Sequence, residues 1–139
     1  MIDAVVVDTD VFSKTVVAER PSRDYERFLP LLQGARLVLA AQTVGELLVG
    51  AALAGWGEPR RRGLDARIAT CLVIPVDRAL TEVWADLTVA CRERGHGLQD
   101  KLHVADRWIA ATAIHLGVPL VSNDNIFINA PLVNLLQPE

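Results

Sequence analysis

Residues 4–10 read AVVVDTD, an apolar run from Ala4 to Val7 that passes without interruption into Asp8, Thr9 and Asp10. A strand with one wet face would alternate apolar and polar positions. An unbroken apolar run instead suits a strand covered on both faces, with its polar residues held at the carboxyl end. Such strands pair in parallel, and parallel pairing requires crossover segments that are usually helical.

The rest of the chain supplies them. After a polar, turn-prone stretch from Pro21 to Asp24, the pattern predicts a short helix over Tyr25 to Leu32 and a second buried strand over Leu37 to Ala40. Val44, Leu47, Leu48, Ala51 and Ala52 recur at helical spacing, with Thr43 as the expected N-cap, Glu46 in the first turn, and Gly55 and Gly57 ending the helix. The following GEPRRRGLDAR, residues 57–67, is the most basic part of the chain. Leu72 to Val76 reads as a third strand, and Asp77 as the cap of a long helix reaching about Arg94. Gly95, His96 and Gly97 break that helix. A polar connection then leads into a helix over Val104 to Leu116, stopped by Gly117 with Pro119 just beyond. Leu120 and Val121 form a fourth strand ending in Ser122, Asn123 and Asp124, and Leu132 to Leu136 offers a fifth at the edge. Strands alternating with helices predict an α/β fold: a single three-layer α/β/α domain over residues 1–139 with a mostly parallel four- or five-stranded sheet.

Composition supports this. The chain of 139 residues is 51% hydrophobic and 22% charged with mixed signs, enough apolar material for one core and unlike a disordered chain. Cys71 and Cys91 lie in apolar or helical stretches without metal-binding spacing, so they read as small hydrophobes in a reducing compartment. The opening MIDAVVVD has no basic leader and too short an apolar run to span a bilayer, so a cytoplasmic protein with no membrane partner is expected. A net charge of -3 on its own counts against a polyanionic partner. Setting Asp8, Asp10, Glu46, Asp106 and Asp124 aside from the 17 acids leaves 12 against 14 bases, a balance of +2, and a bound cation would offset the excluded group.

Those acids are the chemistry-bearing feature. Asp8 and Asp10 end the first strand and Asp124 follows the fourth, so they should meet in the crevice outside the carboxyl ends of the strands. Glu46 and Asp106 interrupt apolar surroundings near helix starts that face the same edge. Carboxylates crowded there repel, and a hard divalent cation with oxygen ligands removes the repulsion. Such a site can hydrolyse a phosphodiester without a protein nucleophile.

The stretches VVVDTDVFS, TVGELLVGA and DRWIAATAIHLGVPLVSND resemble the PIN-domain ribonucleases, and among them the VapC-type toxins of bacterial and archaeal toxin–antitoxin pairs, over essentially the whole chain. The resemblance implies a PIN-like fold in which Asp8, Glu46, Asp106 and Asp124 bind Mg2+ or Mn2+, with Thr9 and Ser122 supporting them by hydrogen bonds. It also implies endonucleolytic cleavage of a structured RNA, inhibition by a cognate antitoxin protein, and a homodimer. Asp10 stands where Asn is frequent and Ser122 where Thr is commoner; each keeps an oxygen or hydroxyl in place.

Outside the acids, Arg60, Arg61 and Arg62 lie near Trp56 and could grip RNA phosphates, or could form a solvated face with arginine stems covering Trp56. Trp84 and Trp108 read as packing residues. His96, His103 and His115 show no acid partner at a recognisable spacing, and no Ser sits in a nucleophile elbow. Two rival functions remain open. VVVDTDV also fits the Asp-x-Asp opening of haloacid dehalogenase-like phosphatases, with Asp8 as nucleophile and Asp10 as acid/base, although Phe12 departs from that pattern and only Lys14 and Lys101 are available. The other is a catalytically silent module that binds RNA or protein.

Overall fold

The computed structural model describes residues 3–139. Strand β1 spans Ala4–Val7, β2 Arg36–Ala40, β3 Leu72–Ile74, β4 Leu120–Val121 and β5 Leu135–Leu136. They form one five-stranded sheet in the order β3-β2-β1-β4-β5, with every neighbouring pair parallel. The apolar opening run is the central strand: Val6 stands opposite Val38 of β2 on one side and Leu120 of β4 on the other.

Burial on both faces follows from that position. Val5 and Val7 point into a cluster with Phe12, Phe28, Leu39 and Leu47, whereas Val6 joins Val38, Leu87, Ile109 and Leu120 on the opposite face. Helices α6 (Arg78–Glu93) and α7 (Val104–Leu116) cover the Val6 face. The other face is covered by α1 (Thr9–Phe12), α2 (Arg23–Glu26), α3 (Leu29–Leu32), α4 (Ala41–Leu53) and α5 (Glu58–Ala69), which completes the three-layer α/β/α arrangement. Asp77 caps α6 by accepting from the Leu80 N–H at 2.9 Å, and Gly117 ends α7 in the left-handed region at φ 67°, as their positions predicted. Trp84 and Trp108 stack across α6 and α7 with ring centroids 5.0 Å apart. Cys71 and Cys91 are both free, the second fully buried.

Several boundaries differ from expectation for physical reasons. The helix anticipated over Tyr25 to Leu32 is two short ones, because Pro30 cannot donate to the preceding turn and instead takes a first-turn place in α3. Helix α4 starts at Ala41, so Thr43 is a buried residue within its first turn and not the cap, and Glu46 falls in the second turn. The basic stretch holds a full helix, α5, with Pro59 in its first turn. Only Leu64 of α5 is buried, which leaves little apolar periodicity to read. Strand β3 ends at Ile74, and β5 is confined to two residues. After α1 the chain widens into a π-helical turn over Ser13–Val17, stitched by Thr15 Oγ1 donating to the Val11 carbonyl at 2.6 Å. Among the described residues no helix is long and apolar enough to cross a membrane.

Candidate active site

The chain builds β2 and β3 outward on one side of β1, then returns to add β4 and β5 on the other. Strand order therefore reverses between β1 and β4, and in open parallel sheets the crevice at the carboxyl ends of two such strands is where ligands bind. The residues that leave these strands are Asp8 and Ser122.

Asp8 serves as N-cap of α1, accepting from the Thr9 N–H at 2.8 Å, and its other oxygen accepts from the Ser122 hydroxyl at 2.6 Å. With only 8% of its surface exposed, the side chain has little water to stabilise its charge. Burial pushes its carboxyl from 3.8 up to about 6; the Ser122 and Thr9 hydrogen bonds pull the other way, and the negative charges of Asp106 and Asp10 add to the rise. The Ser122 oxygen also accepts from the Asp124 N–H at 3.0 Å, so one hydroxyl ties the ends of the two strands together. Asp124, exposed, caps the short 3-10 turn Asn125–Phe127 by accepting from the Ile126 N–H at 3.0 Å.

Thr9 makes the second link. Its hydroxyl donates to Glu46 Oε1 at 2.7 Å and lies 3.0 Å from the Thr43 hydroxyl, which joins α1 to α4. Thr43 stands three residues before Glu46 on α4 and is fully buried, a contribution hidden by its reading as a cap. Asp106, in the first turn of α7, has a partner too: its Oδ2 lies 2.9 Å from Nδ1 of His103. The expectation that no histidine has an acid partner is thus corrected. The pair has the i, i+3 spacing of helix neighbours, but His103 stands just before the helix begins, where no apolar periodicity marks it. Asp10 is exposed on α1 and acts on Asp8 through its charge.

Asp8, Glu46 and Asp124 are therefore connected through Thr9 and Ser122, and Asp106 lies near enough to disfavour ionisation of Asp8. No three His, Cys, Asp or Glu side chains among the described residues gather closely enough to chelate an ion. The chemistry of the donor set nevertheless suits a hard divalent cation: the groups are oxygen donors, and the Asp8 charge is disfavoured first by its burial and then by the negative charges of Asp106 and Asp10.

The family model described as PIN domain matches residues 5–132. The chain belongs to the PIN-domain family. This PIN domain is 29% identical over 133 residues to ribonuclease VapC4 of Mycobacterium tuberculosis, covering 94% of each chain. It superposes with a TM-score of 0.75 on a chain of the VapBC2 crystal structure from Rickettsia felis bound to a promoter DNA fragment, at 19% identity and with 100% of both chains covered. For the Mycobacterium tuberculosis VapBC-5 structure the TM-score is 0.60 at 27% identity, covering 96% of this PIN domain and 98% of that chain. Membership of this family displaces the haloacid dehalogenase reading of Asp8 and Asp10.

The arginine run divides. Arg60 stacks over Trp56 with its guanidinium carbon 4.0 Å from the ring centroid, and Arg61 turns to Asp65 at 3.2 Å. Arg62 stands exposed on the same helix.

Proposed function

We propose that this PIN domain, spanning residues 1–139, is a Mg2+- or Mn2+-dependent endoribonuclease, the toxin of a toxin–antitoxin pair. In this reading it works in the cytoplasm as a homodimer restrained by a cognate antitoxin. The observation that carries the reading is the buried Asp8 carboxylate between β1 and β4, linked through Ser122 to Asp124 and through Thr9 to Glu46. Similarity to ribonuclease VapC4 supports RNA as the substrate, and the toxin–antitoxin relatives support the antitoxin.

Asp8, Glu46, Asp106 and Asp124 would hold the cation, which when bound supplies Lewis acidity toward the phosphodiester. The protein's own groups prepare the site. Ser122 and the Thr9 N–H favour the ionised form of Asp8 against the desolvation that opposes it. Thr9, braced by Thr43, fixes the Glu46 carboxylate, and His103 fixes that of Asp106. Hydrolysis needs no covalent enzyme intermediate: a water oxygen joins phosphorus while the ribose oxygen leaves with a proton.

The test is incubation of the purified chain with total RNA in Mg2+, in Mn2+ and in EDTA, followed by mapping of the cut ends. Discrete internal cuts that disappear in EDTA and in Asp106→Asn are expected. Cuts that survive both would overturn the proposal, and RNA binding without cuts would identify a silent module.

A further inference from the structure

A groove of about 1020 Å³ opens between the π-helical turn and α5. Ser13 forms part of its wall and lies five residues beyond Asp8, about 8 Å along a helical path at 1.5 Å per residue. The groove therefore begins close to the carboxylate crevice, on the segment that Asp8 caps.

Its lining combines apolar side chains with an excess of positive charge. Arg20, Arg60 and Arg67 line it with Trp56, and Glu19 is the acid among the lining residues. None of these three arginines pairs with a carboxylate among the described residues, whereas Arg61, outside the groove, is paired with Asp65. Arg60 over Trp56 presents a planar guanidinium backed by an aromatic ring, a surface on which an unpaired base can lie while its phosphate meets a neighbouring arginine.

We propose that this groove holds the single-stranded RNA segment flanking the cleavage point, with Arg20, Arg60 and Arg67 on its phosphates and the Arg60–Trp56 stack against a base. The proposal rests on the ribonuclease reading above. An acidic polypeptide would meet the same charges, but it would leave the stacking surface without a matching plane.

The experiment measures binding apart from cleavage, by fluorescence anisotropy of a labelled single-stranded RNA in EDTA over a salt series, together with kcat and KM in Mn2+. Wild type is compared with Arg60→Gln/Arg67→Gln, Arg60→Lys and the off-groove pair Arg61→Gln/Arg62→Gln, each checked for unchanged melting. The double groove variant should bind RNA at least about tenfold more weakly. Its log–log salt slope should fall by about 1.4, at about 0.7 for each phosphate no longer neutralised, with KM raised and kcat retained. Arg60→Lys should keep the salt slope and lose affinity through the stack, and the off-groove pair should match wild type. Equal losses in both pairs would mean a diffuse field and overturn the assignment. So would groove variants that lose poly-glutamate binding while keeping RNA binding. Groove-dependent RNA binding without any cleavage would refute the ribonuclease reading and leave the groove standing. Cleavage with an unaltered KM in the groove variants would do the reverse.

Discussion

Asp8→Asn is expected to lower RNA cleavage by roughly two to three orders of magnitude, the scale for removing one preorganised electrostatic group from a site. At the same time it should raise the melting temperature of the metal-free protein at pH 7.5. The second effect follows from the buried carboxylate, whose folded value of about 6 lies above its ordinary 3.8. Below pH 3.8 the group is protonated whether the chain is folded or not, and it costs folding nothing. Between 3.8 and about 6 the unfolded chain ionises while the folded one does not, so stability falls as pH rises; above about 6 the full penalty applies. That gap corresponds to roughly 3 kcal/mol, of which asparagine should recover about 1–3. The variant should therefore melt several degrees above wild type at pH 7.5 and lose the advantage near pH 4. Saturating Mn2+ should stabilise wild type more than the variant. A variant that melts far below wild type at pH 7.5, with an equal Mn2+ response, would make Asp8 a structural cap and remove it from the proposed site.

Arg107→Ala should be among the most destabilising single changes in the chain. The side chain is 3% exposed, and its Nη1 donates to the carbonyls of Leu98 at 2.6 Å and Asp100 at 2.8 Å. Its guanidinium carbon stands 5.2 Å from the Trp84 ring centroid, and its Nε is buried without a partner. No carboxylate pairs with it among the described residues, so backbone carbonyls carry the compensation for a buried charge. Truncation strips those carbonyls of donors and leaves a void beside Trp84, together worth roughly 3 kcal/mol or more. Melting should fall by on the order of 10 °C. Arg107→Met keeps an apolar stem on Trp84 and drops the buried charge, so it should lose less stability. Both variants should speed amide exchange across residues 97–103, the segment that Arg107 anchors and that carries His103. Exchange there unchanged in both would show that the segment is held by other contacts.

The legible parts of the sequence were those where one force dominates. The β1 run, the Asp77 cap and the Gly117 stop each announce themselves through burial, a single side-chain hydrogen bond or a left-handed φ. Asp8 and Asp124 stand out because they end or follow buried strands, and Glu46 and Asp106 because they interrupt apolar surroundings. Helix α5 was obscured because one buried residue leaves almost no periodic signal, and Pro59 and Gly63 resemble breaks. The structural use of Thr43, His103 and Arg107 depends on partners outside their local pattern, or across a helix boundary, where residue type alone gives no direction.

The hydrogen bond from Ser122 to Asp8 joins residues 114 positions apart. A ribosome adding about 5–20 residues per second takes roughly 6–23 s to travel that distance. Once Arg36–Ala40 has been made, β1 can pair with β2, yet until Ser122 follows Asp8 has neither its hydroxyl donor nor Asp124 beside it. Because β4 follows β2 in the chain, the central strand gains its second neighbour, and Asp8 its hydroxyl donor, later in synthesis than its first, so the proposed hydrolytic competence depends on a strand made long after the carboxylate it completes.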